Sequence, residues 1–196
     1  MSNYCRSGIY MTIPLDHVEA STETVFDVFL DVERLPTMST QIESTELIVT
    51  GKNSNNDHSC VVGRKWKERR NYEGRILKDI FTVTSMTRTL DKATGEDVIT
   101  VTYSIDFVKN NFKTRQATQT GSLTAHPTSE AGDKRTCRLT MTVSFVAEGC
   151  ISGTLVRCCR AGIERYGELY GLQALSELAA AARRRQKEIN LQVDEK

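Results

Sequence analysis

The sequence predicts an α+β fold: a seven-stranded, curved antiparallel sheet that grips one long C-terminal helix, with two short helices after the first strand. Seven segments between residues 9 and 146 have the apolar pattern of strands, and the connections between the last six are too short for crossover helices. Beyond residue 155, apolar residues recur at steps of three and four, as on one face of a helix. Helical signals also follow the first strand. Together these three observations predict the order of elements.

The first strand and the helical region after it are separated by a change of period. Alternating apolar residues from Ile9 to Val18 indicate a half-buried strand. Ser21 is then a suitable N-cap, Glu23 favours the positive start of a helix, and an apolar stripe follows. Because Pro36 ends or kinks a helix, we expect a second short helix or turn over residues 33–40.

The other six strands lie between connections rich in Gly, Asn and Asp, which favour hairpins between consecutive strands. The tightest connection is Glu73-Gly74. The predicted strands are Ile42–Val49, Val61–Tyr72, Ile76–Met86, Val98–Phe107, Lys113–Ala125 and Cys137–Val146. Sequential antiparallel pairing follows from this arrangement.

The long helix is predicted over residues 155–180. At 1.5 Å per residue it would be about 39 Å long, similar to the roughly 34 Å of a ten-residue strand. It can therefore lie along the sheet, while residues beyond about 183 are expected to overhang and fray. Each glycine in a helix costs about 1 kcal/mol relative to alanine, and close approach to the sheet or to a ligand would explain four of them: Gly153, Gly162, Gly167 and Gly171.

The dimensions of these elements predict a cavity. Seven strands at about 4.8 Å spacing make a sheet about 34 Å wide, whereas a helix with its side chains is about 10–12 Å across. One helix cannot cover that face, so the remaining space must hold large side chains or remain hollow. Aromatic residues form only 7% of the chain, which favours a hollow.

The order of elements and two loose motifs resemble a known superfamily. The first motif is Ala20-Ser21-x-x-x-Val25-Phe26-x-x-x-x-Asp31-Val32-x-x-Leu35-Pro36, and the second is Val62-Gly63-Arg64 with Glu68 farther along. Over nearly the whole chain, the pattern resembles the START/polyketide cyclase/Bet v 1-like superfamily, also called SRPBCC proteins. The resemblance implies a helix-grip fold with an interior cavity for lipids, polyketides, sterols or other apolar molecules. It implies enzymes among the relatives as well as carriers.

The composition predicts one water-soluble domain. The chain has 196 residues, of which 39% are hydrophobic and 26% charged. We assign residues 1–7 to an N-terminal tail, 8–182 to a single ligand-binding domain and 183–196 to the charged end of the helix. Because 26 basic residues nearly balance 25 acidic ones, no overall field would attract nucleic acid, and none is expected as a partner.

Location and cofactors are predicted from missing signals. No stretch of about 18 apolar residues indicates an integral membrane segment, and no export signal is found. The six cysteines lack paired spacing, so we expect reduced thiols, a cytoplasmic location, and neither a metal nor another cofactor. The oligomeric state is left open.

The polar candidates for the site lie on the strand that carries Trp66, the only tryptophan. If Trp66 points inward, Glu68 and Arg70 enter the cavity with it, because alternate residues share a face. A buried carboxylate must be paired, neutralised or hydrated, and Arg115 is a possible partner. The competing register would turn Lys65, Lys67 and Arg69 inward, at a higher electrostatic cost. A polar anchor for a ligand and an ion pair at the rim both remain open.

The apolar candidates follow from strand parity and helix position. Ordinary core packing is the alternative for each, since lining a pocket and forming a core are continuous in a hollow fold. The predicted ligand-binding residues are Phe81, Val83, Tyr103, Met141, Leu155 and Cys159, together with the polar candidates above.

Non-catalytic binding or transport of a small hydrophobic ligand, lipid, polyketide or isoprenoid-like, is the predicted function. No GxSxG, P-loop, HExxH or GxGxxG motif occurs, so no catalytic residue is assigned. The alternative is an enzyme of polyketide cyclase, dehydratase or hydrolase type that uses Glu68. Asp79 and His17 are then the next candidates. A module that binds a protein partner is a further alternative.

Overall fold

The computed structural model describes residues 6–49, 61–72, 74–107, 117–128, 136–148 and 158–194. Its elements follow the predicted order. They are β1 (Arg6–Val18), α1 (Thr22–Leu30), α2 (Leu35–Met38), β2 (Ile42–Val49), β3 (Lys65–Tyr72), β4 (Arg75–Leu90), β5 (Asp97–Phe107), β6 (Ala117–Thr128), β7 (Thr136–Glu148) and α3 (Arg160–Asp194).

The seven strands form one antiparallel sheet in the order β1-β7-β6-β5-β4-β3-β2. Strands β2 to β7 pair with their neighbours along the chain, and β1 closes the other edge beside β7. One face of the sheet carries the buried side chains and is covered by α1 and α3. The predicted fold class is therefore confirmed.

Helix α1 begins as the sequence predicts. Ser21 is its N-cap, and its hydroxyl accepts a hydrogen bond from the Thr24 backbone N–H at 3.2 Å. Arg88 of β4 makes a two-pronged ion pair with Glu23 in the first turn. Val25 and Phe26 point into the core. This end of the concave face is therefore densely packed.

Helix α3 differs from its prediction at the C-terminal end. It extends to Asp194, whereas the sequence predicted fraying beyond about residue 183. The prediction is wrong because the extension packs against α1. Ala181 and Ala182 are buried, and the Gln186 side-chain oxygen accepts hydrogen bonds from the Ser21 N–H at 3.1 Å and the Thr24 hydroxyl at 2.8 Å. Residues 155–157 of the predicted helix lie outside the described residues.

Strands β3 and β4 each differ from the predicted limits by four residues at one end, the largest difference among the described strand ends. Strand β3 begins at Lys65, four residues after the predicted start, because residues 61–64 form a turn in which the Arg64 N–H donates to the Val61 carbonyl. Strand β4 continues to Leu90 across a register shift between Val83 and Ser85.

Within the described ranges, no helix is long and apolar enough to cross a membrane.

Candidate functional site

A cavity of about 660 Å³ lies between the concave face of the sheet and the N-terminal half of α3. Its wall is formed by strands from one edge of the sheet to the other, by the α2–β2 connection and by successive turns of α3. Apolar side chains form most of this wall. They include Phe29, Leu35, Leu77, Ile105, Val143, Phe145, Ile163 and Leu178.

Seven of the ten predicted site residues line this cavity. They are Trp66, Glu68, Arg70, Phe81, Tyr103, Met141 and Cys159. Val83 does not: it is 1% exposed and belongs to the core cluster that contains Val25 and Phe26 of α1, because α1 covers this end of the face. Arg115 and Leu155 lie outside the described residues. Ligand contact by any of these residues remains a prediction.

An aromatic wall forms one side of the cavity. The rings of Trp66 and Phe81, which are opposite one another on β3 and β4, stack with centroids 5.3 Å apart and planes 10° apart. Tyr103 on β5 lies next, with its ring centroid 5.8 Å from that of Phe81. The ring of Phe29 in α1 packs against both Trp66 and Tyr103, with ring centroids 6.5 and 6.1 Å apart, respectively. Offset and edge contacts of this kind fix the rings in place.

A buried charge cluster lies beside this wall. Glu68 is 4% exposed, and its Oε1 accepts a hydrogen bond from Trp66 Nε1 at 2.8 Å. Arg70 Nε lies 3.7 Å from Glu68 Oε2 and donates to Asp79 Oδ2 at 3.0 Å. The Arg70 guanidinium also lies over the Phe81 ring, 5.2 Å from its centroid.

The register of β3 and β4 explains this cluster. Glu68 and Asp79 are directly opposite each other, so both side chains share the inner face. Arg70 lies two residues after Glu68 on β3 and diagonal to Asp79, so it reaches both. The inward register that the sequence analysis favoured for Trp66 is the one observed. Asp79, considered only as a catalytic candidate, is fully buried and is a partner of Arg70.

The surroundings of Glu68 affect its protonation. Burial raises the pKa of Glu68 above its ordinary value; the Arg70 charge and the Trp66 hydrogen bond oppose this rise, and the Asp79 charge adds to it. Burial likewise raises the pKa of Tyr103 to about 12. The site therefore presents a neutral phenol and a carboxyl that keeps its proton to a higher pH than an exposed glutamate would.

The site also contains residues that the sequence analysis did not single out. Gln41 and Glu177, from the α2–β2 connection and from α3, form a second polar part of the wall. They are distant in the sequence and belong to no motif, so no local signal links them. His17, in contrast, was a catalytic candidate by strand parity. It is exposed and has a φ of 64°, because β1 contains a bulge between Leu15 and Val18 that interrupts the alternation.

Comparison with solved structures supports the fold. The aromatase/cyclase ZhuI from Streptomyces sp. R1128 has a TM-score of 0.55 at 17% identity, covering 92% of this chain and 95% of that one. Norcoclaurine synthase from Thalictrum flavum, solved with dopamine and hydroxybenzaldehyde, has a TM-score of 0.54 at 13% identity, covering 94% and 89%.

A third structure, the di-domain protein StfQ of the steffimycin biosynthetic pathway, has a TM-score of 0.61 at 13% identity. The match covers 91% of this chain but only 52% of that protein. At such identities the likeness concerns the fold alone. No family model matches the sequence, and no curated protein matches it.

Proposed function

We propose that this chain, which has the helix-grip fold of the START/polyketide cyclase/Bet v 1-like superfamily, binds a small and largely apolar molecule in its cavity. The observation that supports this proposal is the hollow itself: about 660 Å³, walled mainly by apolar side chains, with few polar groups converging on it. Small-molecule sites in proteins commonly have this size and composition.

Burial of apolar surface would supply most of the affinity. Each 100 Å² of ligand surface removed from water contributes about 2.5 kcal/mol. The flat rings of Trp66, Phe81 and Tyr103 suit an aromatic or polycyclic body, because ring contacts add to simple burial. Arg70 and Glu68 would orient the ligand by hydrogen bonds to a hydroxyl or carbonyl oxygen.

A specific observation also favours a second candidate function, acid–base catalysis on the bound molecule. Glu68 is a buried carboxyl whose pKa is raised, and it faces an apolar cavity beside a second carboxylate. A carboxyl held neutral in such surroundings can act as a general acid. Enzymes are also among the solved structures with this fold, an aromatase/cyclase and norcoclaurine synthase.

Native mass spectrometry of the protein purified from its own source tests the proposed function. We expect a population with one small organic molecule retained, whose mass identifies its class. Release of that molecule by mild organic solvent should leave the fold intact, as measured by circular dichroism. A protein that carries no such molecule, and that takes up none from a lipid and secondary-metabolite extract of the same source, would contradict the proposal.

A further inference from the structure

The α2–β2 connection and α3 contribute a polar pair to the cavity wall, at Gln41 and Glu177. Gln41 is 7% exposed, which is unusual for a glutamine. Its backbone is fixed on both sides: its N–H donates to the Ser39 hydroxyl at 3.2 Å, and its carbonyl accepts from the Asn71 N–H at 2.9 Å. The side chain is therefore held in the wall.

Glu177, on the α3 side of this wall, is held in place by hydrogen bonds to its carboxylate oxygen Oε1. Its Oε1 accepts hydrogen bonds from the Thr40 hydroxyl and from Gln173 Nε2, the latter at 3.2 Å. Thr40 directly precedes Gln41, so these bonds connect the α2–β2 connection to α3. Although partial burial raises the pKa of Glu177, hydrogen bonds from Ser39, Thr40 and Gln173 outweigh that effect and hold it below its ordinary value.

One polar atom of each residue remains unused. Gln41 Nε2 and Glu177 Oε2 are buried and have no hydrogen-bond partner among the described residues. An unpaired buried donor or acceptor is destabilising, so such atoms in a native wall call for an explanation. Here one residue offers a donor and the other an acceptor, and both residues line the cavity of the proposed ligand.

We propose that Gln41 and Glu177 form a second polar subsite of the cavity, which binds a hydroxyl group of the ligand; this rests on the proposed function. A hydroxyl both accepts from an amide N–H and donates to a carboxylate, so it satisfies both residues. A ligand carboxylate is disfavoured there because Glu177 repels it.

The ligand class follows from the two polar parts of the wall. One oxygen function would lie at Glu68 and Arg70, and a hydroxyl would lie at Gln41 and Glu177. The ligand is then an apolar body with two oxygen substituents, such as a dihydroxylated aromatic or polycyclic compound. A singly functionalised chain would leave the second subsite unsatisfied.

Paired alcohols and diols of equal length test this subsite. The probes are 1-octanol, 1-decanol and 1-dodecanol against 1,8-octanediol, 1,10-decanediol and 1,12-dodecanediol. Trp66, the only tryptophan in the chain, lies in the wall and reports occupancy by its fluorescence. The measured quantity is the ratio of the diol Kd to the alcohol Kd, compared between variants so that ligand hydration cancels.

Gln41→Leu should raise this ratio roughly 5- to 15-fold for at least one chain length, the effect of one lost hydrogen bond in a buried site. Glu177→Gln keeps an acceptor oxygen but loses the charge, so it should raise the ratio about threefold. Glu188→Gln, an exposed change on the same helix, is the control and should leave the ratio unchanged. Gln41→Leu should not lower the melting temperature, since its amide nitrogen has no partner in the described chain.

The outcomes separate the two proposals. One outcome would overturn the subsite and leave the proposed function standing. In it, the alcohols bind, but the ratio of the diol Kd to the alcohol Kd is the same in wild type, Gln41→Leu and Glu177→Gln at every chain length. If neither alcohols nor diols change the Trp66 fluorescence, the cavity does not take apolar ligands and both proposals fail. A Gln41→Leu variant that unfolds would show a structural role, and Glu177→Gln then decides the matter.

Discussion

The two ends of the concave face differ in what covers them, although the same helix, α3, crosses both. At one end α1 lies between α3 and the sheet, and Leu175, Ala179 and Ala182 are buried with it. At the other end no described helix intervenes, α3 is largely exposed, and the space beneath it is the cavity. A short second layer thus decides which half of a helix-grip sheet becomes core and which remains hollow.

The helix sequence reflects this division. Small alanines follow one another where α3 packs closely on α1, and glycines occur where it crosses the cavity and approaches β1. A Cβ at Gly171 would overlap Ile13, and one at Gly167 would overlap Met11. The prediction that glycines mark a close approach of helix to sheet is confirmed at these two positions. Gly162 has open space around it and lines the cavity instead.

The largest contrast is expected from truncating one apolar side chain at each end. Leu175→Ala at the packed end should lower the free energy of unfolding by about 2–5 kcal/mol, because it leaves a void in a closed core. Met141→Ala in the cavity wall should cost about 1 kcal/mol or less, since that side chain already borders a hollow. Urea unfolding of both variants measures the difference. Equal losses would mean that the two ends are packed alike.

Glu68→Gln separates a binding protein from an enzyme at the hollow end. The change keeps the shape and much of the hydrogen bonding of the side chain. If Glu68 only orients a ligand, affinity should fall by about 1–2 kcal/mol. If it is a general acid, turnover should fall by about 10²–10⁴-fold while affinity is largely kept. Calorimetry and a product assay on the molecule recovered from the native protein measure both quantities.

The same variant should change how stability depends on pH. Because burial places the folded-state pKa of Glu68 above its ordinary value of 4.5, its stabilising contribution is present below pH 4.5 and is lost as the pH rises through the folded-state pKa. Glu68→Gln removes that loss. Relative to wild type, the variant should therefore gain stability as the pH rises from 4.5 through the folded-state pKa of Glu68. A stability difference between the two proteins that does not change with pH above 4.5 would contradict a raised folded-state pKa for Glu68.

Two glycine substitutions give the smallest effects, and they should have opposite signs. Gly162→Ala meets no atom within 4 Å and should stabilise α3 by about 0.5–1 kcal/mol through helix propensity. Gly171→Ala must displace Ile13, a well-packed residue, so we expect a net loss of about 1 kcal/mol. Thermal unfolding of the two variants checks the signs. Stabilisation by both would mean that α3 does not approach β1 closely.

Strand parity predicted the candidate site where one face of the sheet is buried and uninterrupted. Trp66, Glu68 and Arg70 face inward because the opposite register would bury three cations. The same rule failed for His17, where a bulge in β1 breaks the alternation. Bulges depend on tertiary packing, which period-2 patterns do not record.

Contacts between distant segments account for what else the sequence did not predict. The charged run at residues 183–185 suggested a solvated end of α3, yet Gln186 on another side of the helix is bonded to α1. Val83 was assigned to the cavity because parity does not show where α1 ends. Gln41 and Glu177 line one cavity only because the α2–β2 connection packs against α3, through the hydrogen bond of Thr40 to Glu177. In each case the decisive neighbour is more than 50 residues away.

Filling the cavity from α3 tests the central claim most directly. Ala174 lines the hollow, whereas Ala180, six residues later on the same helix, is exposed. Ala174→Phe should weaken the binding of 1-decanol, measured by Trp66 fluorescence, by about tenfold or more, because the ring occupies the space that the ligand needs. Ala180→Phe, with unchanged far-ultraviolet circular dichroism in both variants, should bind as wild type does. Equal affinity in the two variants would contradict a ligand site beneath the N-terminal half of α3.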